Sequence, residues 1–134
     1  RIDGDGRIVP IEINPLRFGG LCTTGDLLGV TLDFNSYKCF FENRKPNWET
    51  IFEGKESQIM SIIVLDNNSG IKPANILSFN YADLANDFEC PVLIRPLDIN
   101  EYPVFGFAFV ESNFLNQKEL NDILVSDLKK YINS

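Results

Sequence analysis

Residues 104–111 read VFGFAFVE, a stretch in which only the last residue is charged. A strand that faces a core on one side and solvent on the other alternates apolar and polar side chains, whereas a strand covered on both sides is apolar nearly throughout. The stretch therefore predicts a β-strand that is buried on both of its faces.

Three further strands are predicted before it, at 58–66, 74–80 and 90–98, of which the middle one has the weakest pattern. After the apolar strand, Asn116 and Glu119 have the spacing of a helix N-cap and the acid of its first turn. The apolar stripe of a closing C-terminal helix follows, at Leu120, Ile123, Leu124, Leu128, Tyr131 and Ile132.

The N-terminal part of the chain has the pattern of a hairpin followed by short helices. Residues 1–14 alternate around Asp5-Gly6, a dipeptide typical of a two-residue type I′ turn, so paired positions should sum to eleven. A loop is predicted at 15–25. A short helix is then predicted from about Thr24 to Gly29, with Thr23 and Asp26 as its capping pair. Two more helices are predicted, one at 33–43 and one with Pro46 in its first turn.

These patterns predict an α+β fold. An N-terminal β-hairpin and short helices are followed by a mainly antiparallel sheet with a closing C-terminal helix. The composition changes near residues 53–57, which suggests a helical part at 1–55 and a strand-rich part at 56–134. Because the chain begins with Arg1 and its first residues already have a strand pattern, we expect a piece of a longer protein.

Charge and residue content narrow the classes of function. The formal net charge of −7 disfavours nucleic acid and anionic membranes as partners, since neither would gain from phosphate neutralisation. The absence of histidine excludes a histidine general base and most zinc sites. Three cysteines without a spacing pattern fit a reducing compartment, and no signal peptide or membrane segment is visible, so a cytoplasmic location is expected.

The first twelve residues, RIDGDGRIVPIE, nearly match a calcium loop. The acids and glycine of an EF-hand are present, but the place where its exit helix must begin contains Pro10 and Pro15, which a helix does not accommodate. In a hairpin, Asp3 and Asp5 would instead lie at the exposed tip, roughly 20 Å from Glu12. The pattern therefore favours a hairpin over a calcium site.

Glu12 and Asn14 are two apart on the returning strand, so their side chains should face the same side. A carboxylate and an amide oxygen are ligands that suit Mg²⁺ held partly by substrate phosphates. In the predicted register the residue opposite Glu12 lies two places before Arg1. A second carboxylate there would complete the metal site.

The residues that follow have the chemistry of anion binding. Arg17 can hold a carboxylate or phosphate with two hydrogen bonds, and Gly19 and Gly20 allow backbone N–H groups to approach an anion. A helix beginning near Thr23 and Thr24 would offer further donors. The alternative is a plain hairpin whose acids are solvated and whose glycines only turn the chain.

The segment DGDGRIVPIEINPLRFGG (3–20) resembles the last catalytic strand pair of the ATP-grasp superfamily, a hairpin followed by an apolar strand that ends Glu-x-Asn-Pro-x-Arg. The resemblance implies that Glu12 and Asn14 ligate the Mg²⁺ ions that bridge the ATP phosphates, and that Arg17 contacts the substrate or acyl-phosphate. It implies a further acidic ligand upstream, with ATP-binding lysines and a glycine-rich loop in earlier subdomains.

The resemblance thus implies the C-terminal fragment of an ATP-dependent ligase that activates a small carboxylate and joins it to a nucleophile. The isolated fragment should be inactive, and a homodimer is left open. Two rival interpretations remain. One is a relative that binds a ligand without turnover, and the other is a non-enzymatic interaction domain whose hairpin only imitates the motif.

Overall fold

The apolar stretch lies in β4 (Val104–Ser112), the middle strand of a three-stranded antiparallel sheet. A computed structural model describes residues 2–8, 20–113 and 115–134. Strand β4 pairs with β1 (Ile59–Asp66) on one side and with β3 (Pro91–Pro96) on the other. Residues 104–110 are all buried, which confirms that the strand is covered on both faces.

Two faces of this sheet carry different layers. One face packs against α4 (Tyr81–Asn86) and α5 (Gln117–Val125), and its buried cluster includes Leu65, Leu84 and Phe105. The opposite face carries α1 (Thr23–Leu32), followed along the chain by α2 (Ser36–Phe41) and α3 (Trp48–Phe52). The α+β class and the mainly antiparallel sheet are therefore as predicted.

A glycine in β4 lies where the regular alternation of side chains between the two faces is interrupted. Gly106 has φ +148, and a Cβ placed on it would lie 2.2 Å from the carbonyl oxygen of Arg95. The pairing with β1 shifts register at the same point. As a result Phe105 joins the α4–α5 core, where it stacks on Phe79 at a centroid distance of 4.3 Å, while Phe107 lies beside Arg95.

The predicted strand at 74–80 is much shorter in the structure and belongs to a separate sheet. It is reduced to β2 (Ser78–Phe79), preceded by a 3-10 turn at Pro73–Asn75, and pairs with β5 (Ile132–Asn133) at the end of the chain. Three of the four predicted strands therefore form one antiparallel sheet, in the order β1-β4-β3, and β2 is not part of it.

The closing helix is shorter than its apolar stripe predicted. Helix α5 ends at Val125, and Ser126 is already extended. The Ser126 hydroxyl accepts the N–H of Leu128, and the Asp127 carboxylate accepts that of Lys129, so side chains compete for the amides that a helix would use. The stripe residues Leu128 and Tyr131 still enter the core, but from a left-handed residue and a 3-10 turn.

The caps also differ from prediction. Asn116 stands at the N-cap position of α5, but its side chain accepts the N–H of Asn113 and donates to the carbonyl of Glu111. The carboxylate of Glu119 accepts the N–H of Glu89 at 2.7 Å. In α3 the cap is Asn47, so Pro46 precedes the helix and does not lie in its first turn.

The hairpin turn is wider than the sequence predicted. Ile2 bridges Ile8, the N–H of Gly6 donates to the carbonyl of Asp3, and only Gly6 in this loop has a positive φ, +77. The two-residue type I′ turn and the sum of eleven are therefore wrong, because the paired positions sum to ten. The Asp3 carboxylate accepts the N–H groups of Asp5 and Arg7, which stabilises a three-residue loop.

No helix among the described residues is both long and apolar enough to cross a membrane.

Candidate functional site

The predicted site is only partly within the described residues. Glu12, Asn14, Arg17 and Gly19 lie outside them, so their placement and the predicted metal ligation stay predictions. Gly20, Thr23 and Thr24 are described, and they form the entry to helix α1. The geometry of the candidate site is therefore the geometry of this entry segment, defined here as residues 20–26.

The entry segment begins with two left-handed residues. Leu21 and Cys22 have φ values of 52 and 64, in a conformation that costs an L-residue roughly 1–2 kcal/mol each. Helix α1 begins at Thr23, so the predicted capping pair of Thr23 and Asp26 is not formed. Strain of this kind persists only where the surrounding structure holds it in place.

The N-terminus of α1 has no side-chain cap. The cap residue Cys22 is left-handed and makes no side-chain hydrogen bond to the first turn. The first N–H groups of a helix lack intrahelical partners, and the helix dipole favours negative charge beside them. Gly20 and Thr24 are exposed, whereas Thr23 is buried, so the Thr24 hydroxyl is the one of the pair that a ligand could reach.

Arg95 of β3 holds the entry segment from the sheet. One guanidinium nitrogen forms an ion pair with the Asp26 carboxylate, and the other donates to the carbonyl of Leu21 at 2.5 Å. The guanidinium carbon lies 5.1 Å from the centre of the Phe107 ring. The ion pair is partly buried, with side-chain exposures of 26% for Arg95 and 32% for Asp26, so solvent screens it less than a fully exposed pair.

Tyr37 of α2 packs on the other side of the segment. A Cβ added to Gly25 would lie 3.0 Å from the Tyr37 ring, so the glycine permits this close approach. A hydrogen bond between the side chains of Tyr37 and Cys22 raises the pKa of the tyrosine, and burial adds to the effect.

Arg95 and Tyr37 are not among the site residues that the sequence predicts. Arg95 did carry a signal, because it is the one charged residue within CPVLIRPL (90–97), an otherwise uncharged strand. An arginine in such a stretch needs an acceptor, since a charge is seldom buried without a partner. Its partner could not be chosen from the sequence, because Asp26 lies 69 residues away along the chain.

The two acids of the hairpin tip have different surroundings. Asp5 is exposed, as predicted, and lies 3.7 Å from Arg7 in an exposed ion pair, while Asp3 is partly buried with its carboxylate turned into the loop. Within residues 2–8, 20–113 and 115–134, no group of three or more acidic or cysteine side chains could hold a metal ion.

A second polar cluster lies on the α4–α5 side of the sheet. The carboxylate of Asp87 accepts hydrogen bonds from Lys130 and, at 2.5 Å, from the Tyr131 hydroxyl. The lysine and then the tyrosine lower the pKa of Asp87, while burial and the contact with Asp87 raise the pKa of Tyr131. These bonds tie Lys130 and Tyr131, near the end of the chain, to the C-terminus of α4.

No family model, curated protein or solved structure matches this chain.

Proposed function

We propose that this chain is the C-terminal part of an ATP-grasp ligase, which uses Mg²⁺ and ATP to activate a carboxylate as an acyl-phosphate and joins it to a nucleophile. The observation that carries the proposal is the run EINPLRFGG (12–20), which follows a hairpin and leads into helix α1. The run places metal-binding and anion-binding residue types next to each other in the order that the family resemblance requires.

The donor chemistry of the run fits magnesium. Glu12 supplies a carboxylate and Asn14 a carbonyl oxygen, and both are hard donors of the kind that Mg²⁺ accepts beside phosphate oxygens. When bound, the metal would offset negative charge on the ATP phosphates. The upstream subdomains would supply the further acidic ligand and the lysines that hold ATP.

The entry segment fits the other half of the task, which is holding an anion. Arg17 would orient the substrate carboxylate or the acyl-phosphate through paired N–H donors. Gly19 and Gly20, the exposed Thr24 and the uncapped N-terminus of α1 would add neutral donors beside it. Together they would hold the oxyanion that forms when a nucleophile attacks the acyl-phosphate.

The test is acyl-phosphate formation by the complete polypeptide. With Mg·ATP, a panel of small carboxylates and hydroxylamine as the trapping nucleophile, we expect hydroxamate and ADP in equal amounts from at least one acid. Glu12→Gln should reduce this product about a hundredfold or more, since one charge leaves the metal site while the shape is kept. The exposed Glu56→Gln is the matched control. The isolated 134-residue chain should form no product.

A protein-interaction role without turnover is the second candidate, and one observation favours it. Helices α2 and α3 expose four large aromatic side chains, Phe40, Phe41, Trp48 and Phe52, and exposed apolar patches often mark protein contacts. Absence of ADP and hydroxamate with every acid, together with binding of ATP, would favour a relative that binds a ligand without turnover. Absence of ATP binding as well would favour the interaction domain and would remove the ATP-grasp assignment.

A further inference from the structure

We propose that the outer edge of β1 is an interface between two copies of this chain, which join by antiparallel pairing of β1 with β1. Two three-stranded sheets would then form one continuous six-stranded sheet. In the order β1-β4-β3 both β1 and β3 are edge strands, and among the described residues β4 alone pairs with β1. An edge strand presents N–H and C=O groups that a further strand can pair with. The inference does not depend on the ATP-grasp assignment.

Strand β3 has the features by which proteins prevent pairing at a sheet edge, which are proline, charge and a bulge. It begins at Pro91 and ends at Pro96, and each proline lacks the N–H that a further strand would need. Arg95 adds a charge. Val92 is an extra residue in the pairing with β4, which makes a bulge. This edge of the sheet is therefore protected against a further strand.

Strand β1 has none of these features. Residues 59–65 contain no proline, glycine or charged side chain, and Asp66 is the first charged residue of the strand. The register shift near Leu65 comes from an extra residue on β4, so β1 itself keeps a regular course over its eight residues. Ile59 and Val64 are 61% and 49% exposed. A regular, uncharged and partly exposed apolar strand is the kind of edge that pairs with another chain.

Grooves lie beside β1 on both faces of the sheet. A groove of about 90 Å³ between β1 and α5 is lined by four consecutive strand residues, 63–66. Because the side chains of a strand alternate between faces, a groove lined by consecutive residues reaches the side of the strand as well as one face. The groove on the other face is lined by Met60 of β1 with Leu28 and Phe52. A strand added beside β1 would direct alternate side chains toward the two grooves.

A second copy of β1 matches this edge when Ile62 lies on a two-fold axis perpendicular to the sheet. Such an axis keeps each face of one copy continuous with the same face of the other, and the contact is closed because both copies use the same edge. In this register Val64 lies opposite Met60 of the second copy, and Ile59 lies opposite Leu65. The exposed apolar side chains of the edge would thus be covered by apolar side chains.

Charge favours the same register. With Ile62 on the axis, Gln58 lies opposite Asp66 at each end of the interface, so an amide can donate to a carboxylate there. Moving the axis to Ser61 would instead place Glu56 opposite Asp66, and like charges directly opposite each other are destabilising. Each copy has a formal net charge of −7, and the uncharged run at 59–65 lets two copies meet without direct contact between like charges.

The experiment measures the mass of the complete polypeptide by sedimentation across concentrations, and hydrogen exchange in peptides covering residues 58–66. We expect a monomer–dimer equilibrium, with slower exchange in these peptides as the dimer forms, because the outward N–H groups of β1 become paired. Val64→Lys should raise the dissociation constant of the dimer at least tenfold, since a lysine on an edge strand opposes pairing. Val92→Lys is the matched control on the protected edge, 42% exposed, and should stay within about twofold of wild type.

A second pair of variants tests the register at Gln58, an exposed residue just before the strand. Gln58→Lys would face Asp66 of the second copy and should lower the dissociation constant about threefold, whereas Gln58→Glu should raise it about threefold. Val92→Lys and Val92→Glu add the same charges to the other edge, and they should not reproduce this difference.

Three results would overturn the proposal. The first is a monomer at every concentration, and the second is an assembly that grows beyond a dimer, because the two-fold pairing uses up both edges. The third is a dimer whose dissociation constant is the same in wild type and Val64→Lys. If Val64→Lys does not fold, equal dissociation constants for Gln58→Lys and Gln58→Glu would overturn the proposal in its place. None of these results bears on acyl-phosphate formation, so the proposed function is tested separately.

Discussion

The two faces of the three-stranded sheet are built in different ways. On the α4–α5 face, Leu65, Leu84 and Phe105 are at most 1% exposed, and aromatic rings stack around Phe79. On the α1–α3 face, Val64 and Trp48 remain almost half exposed, and Arg95 of β3 forms an ion pair with Asp26 of α1. The first face is stabilised by apolar burial, and the second relies more on polar contacts to a strained segment.

Under the proposed function, this difference would coincide with a division between stability and ligand binding. Segments that bind ligands are drawn from the parts of a protein with fewer buried apolar contacts, because such parts can adjust to the ligand. The run at 12–20 leads into α1, on the less densely packed face. Among the described residues, a groove of about 250 Å³ lies between α1, α3 and β1 and is lined by Leu28, Phe52 and Met60.

The largest effect on stability is expected at Gly106, where the backbone of β4 departs from a regular strand. Gly106→Ala places a methyl group against the Arg95 carbonyl in a backbone conformation that L-residues avoid, and should lower the free energy of unfolding by about 4 kcal/mol. Gly29→Ala is the matched control, because space is open around Gly29 within α1 and alanine is the better helix former, so it should stabilise by about 0.5–1 kcal/mol. Denaturant titration measures both, and equal effects would mean that β4 has no fixed conformation at Gly106.

The next largest effect on stability tests the packing of the α4–α5 face. Leu84→Ala removes a fully buried side chain and should cost about 3 kcal/mol, whereas Leu124→Ala on α5 removes one that is 71% exposed and should cost under about 1 kcal/mol. Trp48→Ala on the other face should fall between them, because its ring packs on Phe34 but remains half exposed. A cost for Trp48→Ala equal to that for Leu84→Ala would remove the distinction between the faces.

A smaller effect on stability concerns Asp87, which accepts hydrogen bonds from Lys130 and Tyr131 on the α4–α5 side of the sheet. Its pKa is lower in the folded state, so its contribution to stability is present above the unfolded pKa near 4 and is lost as the pH falls through the folded pKa. Because Asp87 is nearly half exposed, solvent screening limits this contribution to about 0.5 kcal/mol. Tyr131→Phe should reduce stability by about 1 kcal/mol at neutral pH and weaken the acid dependence, and unfolding measured from pH 2 to pH 7 in both proteins gives the comparison.

The smallest effect is expected from calcium. The Asp3 carboxylate is occupied by two backbone N–H groups and Asp5 is exposed at the tip, so micromolar calcium should leave the melting temperature unchanged. A clear stabilisation that disappears in both Asp5→Asn and Glu12→Gln would mean that these acids converge on one ion. The hairpin description would then have to be abandoned.

The pattern of apolar residues predicted most of the buried residues of the α4–α5 face, but it did not predict the polar contacts. The apolar run of β4 and the stripe residues Ile123, Leu128 and Tyr131 are buried, and burial is what local sequence reports directly, although Leu124 of the same stripe is 71% exposed. Three other features depend on which acceptor each backbone or side-chain donor pairs with. They are the hairpin register, the end of α5 at Val125 and the contacts of Arg95. Asp3 and Ser126 each have several local choices with similar energies, and Arg95 has many acidic residues within reach of a folded chain, so spacing alone does not select among them.

The proposed metal site is tested most directly by binding of Mn²⁺, a paramagnetic substitute for Mg²⁺, to the complete polypeptide in the presence of ATP. Electron paramagnetic resonance measures the free ion, and we compare wild type, Glu12→Gln and the exposed control Glu56→Gln. The proposed function predicts ATP-dependent Mn²⁺ binding that Glu12→Gln weakens about tenfold or more and Glu56→Gln leaves unchanged. Equal Mn²⁺ affinity in wild type and Glu12→Gln would contradict the assignment of Glu12 as a ligand and, with it, the ATP-grasp interpretation of the run at 12–20.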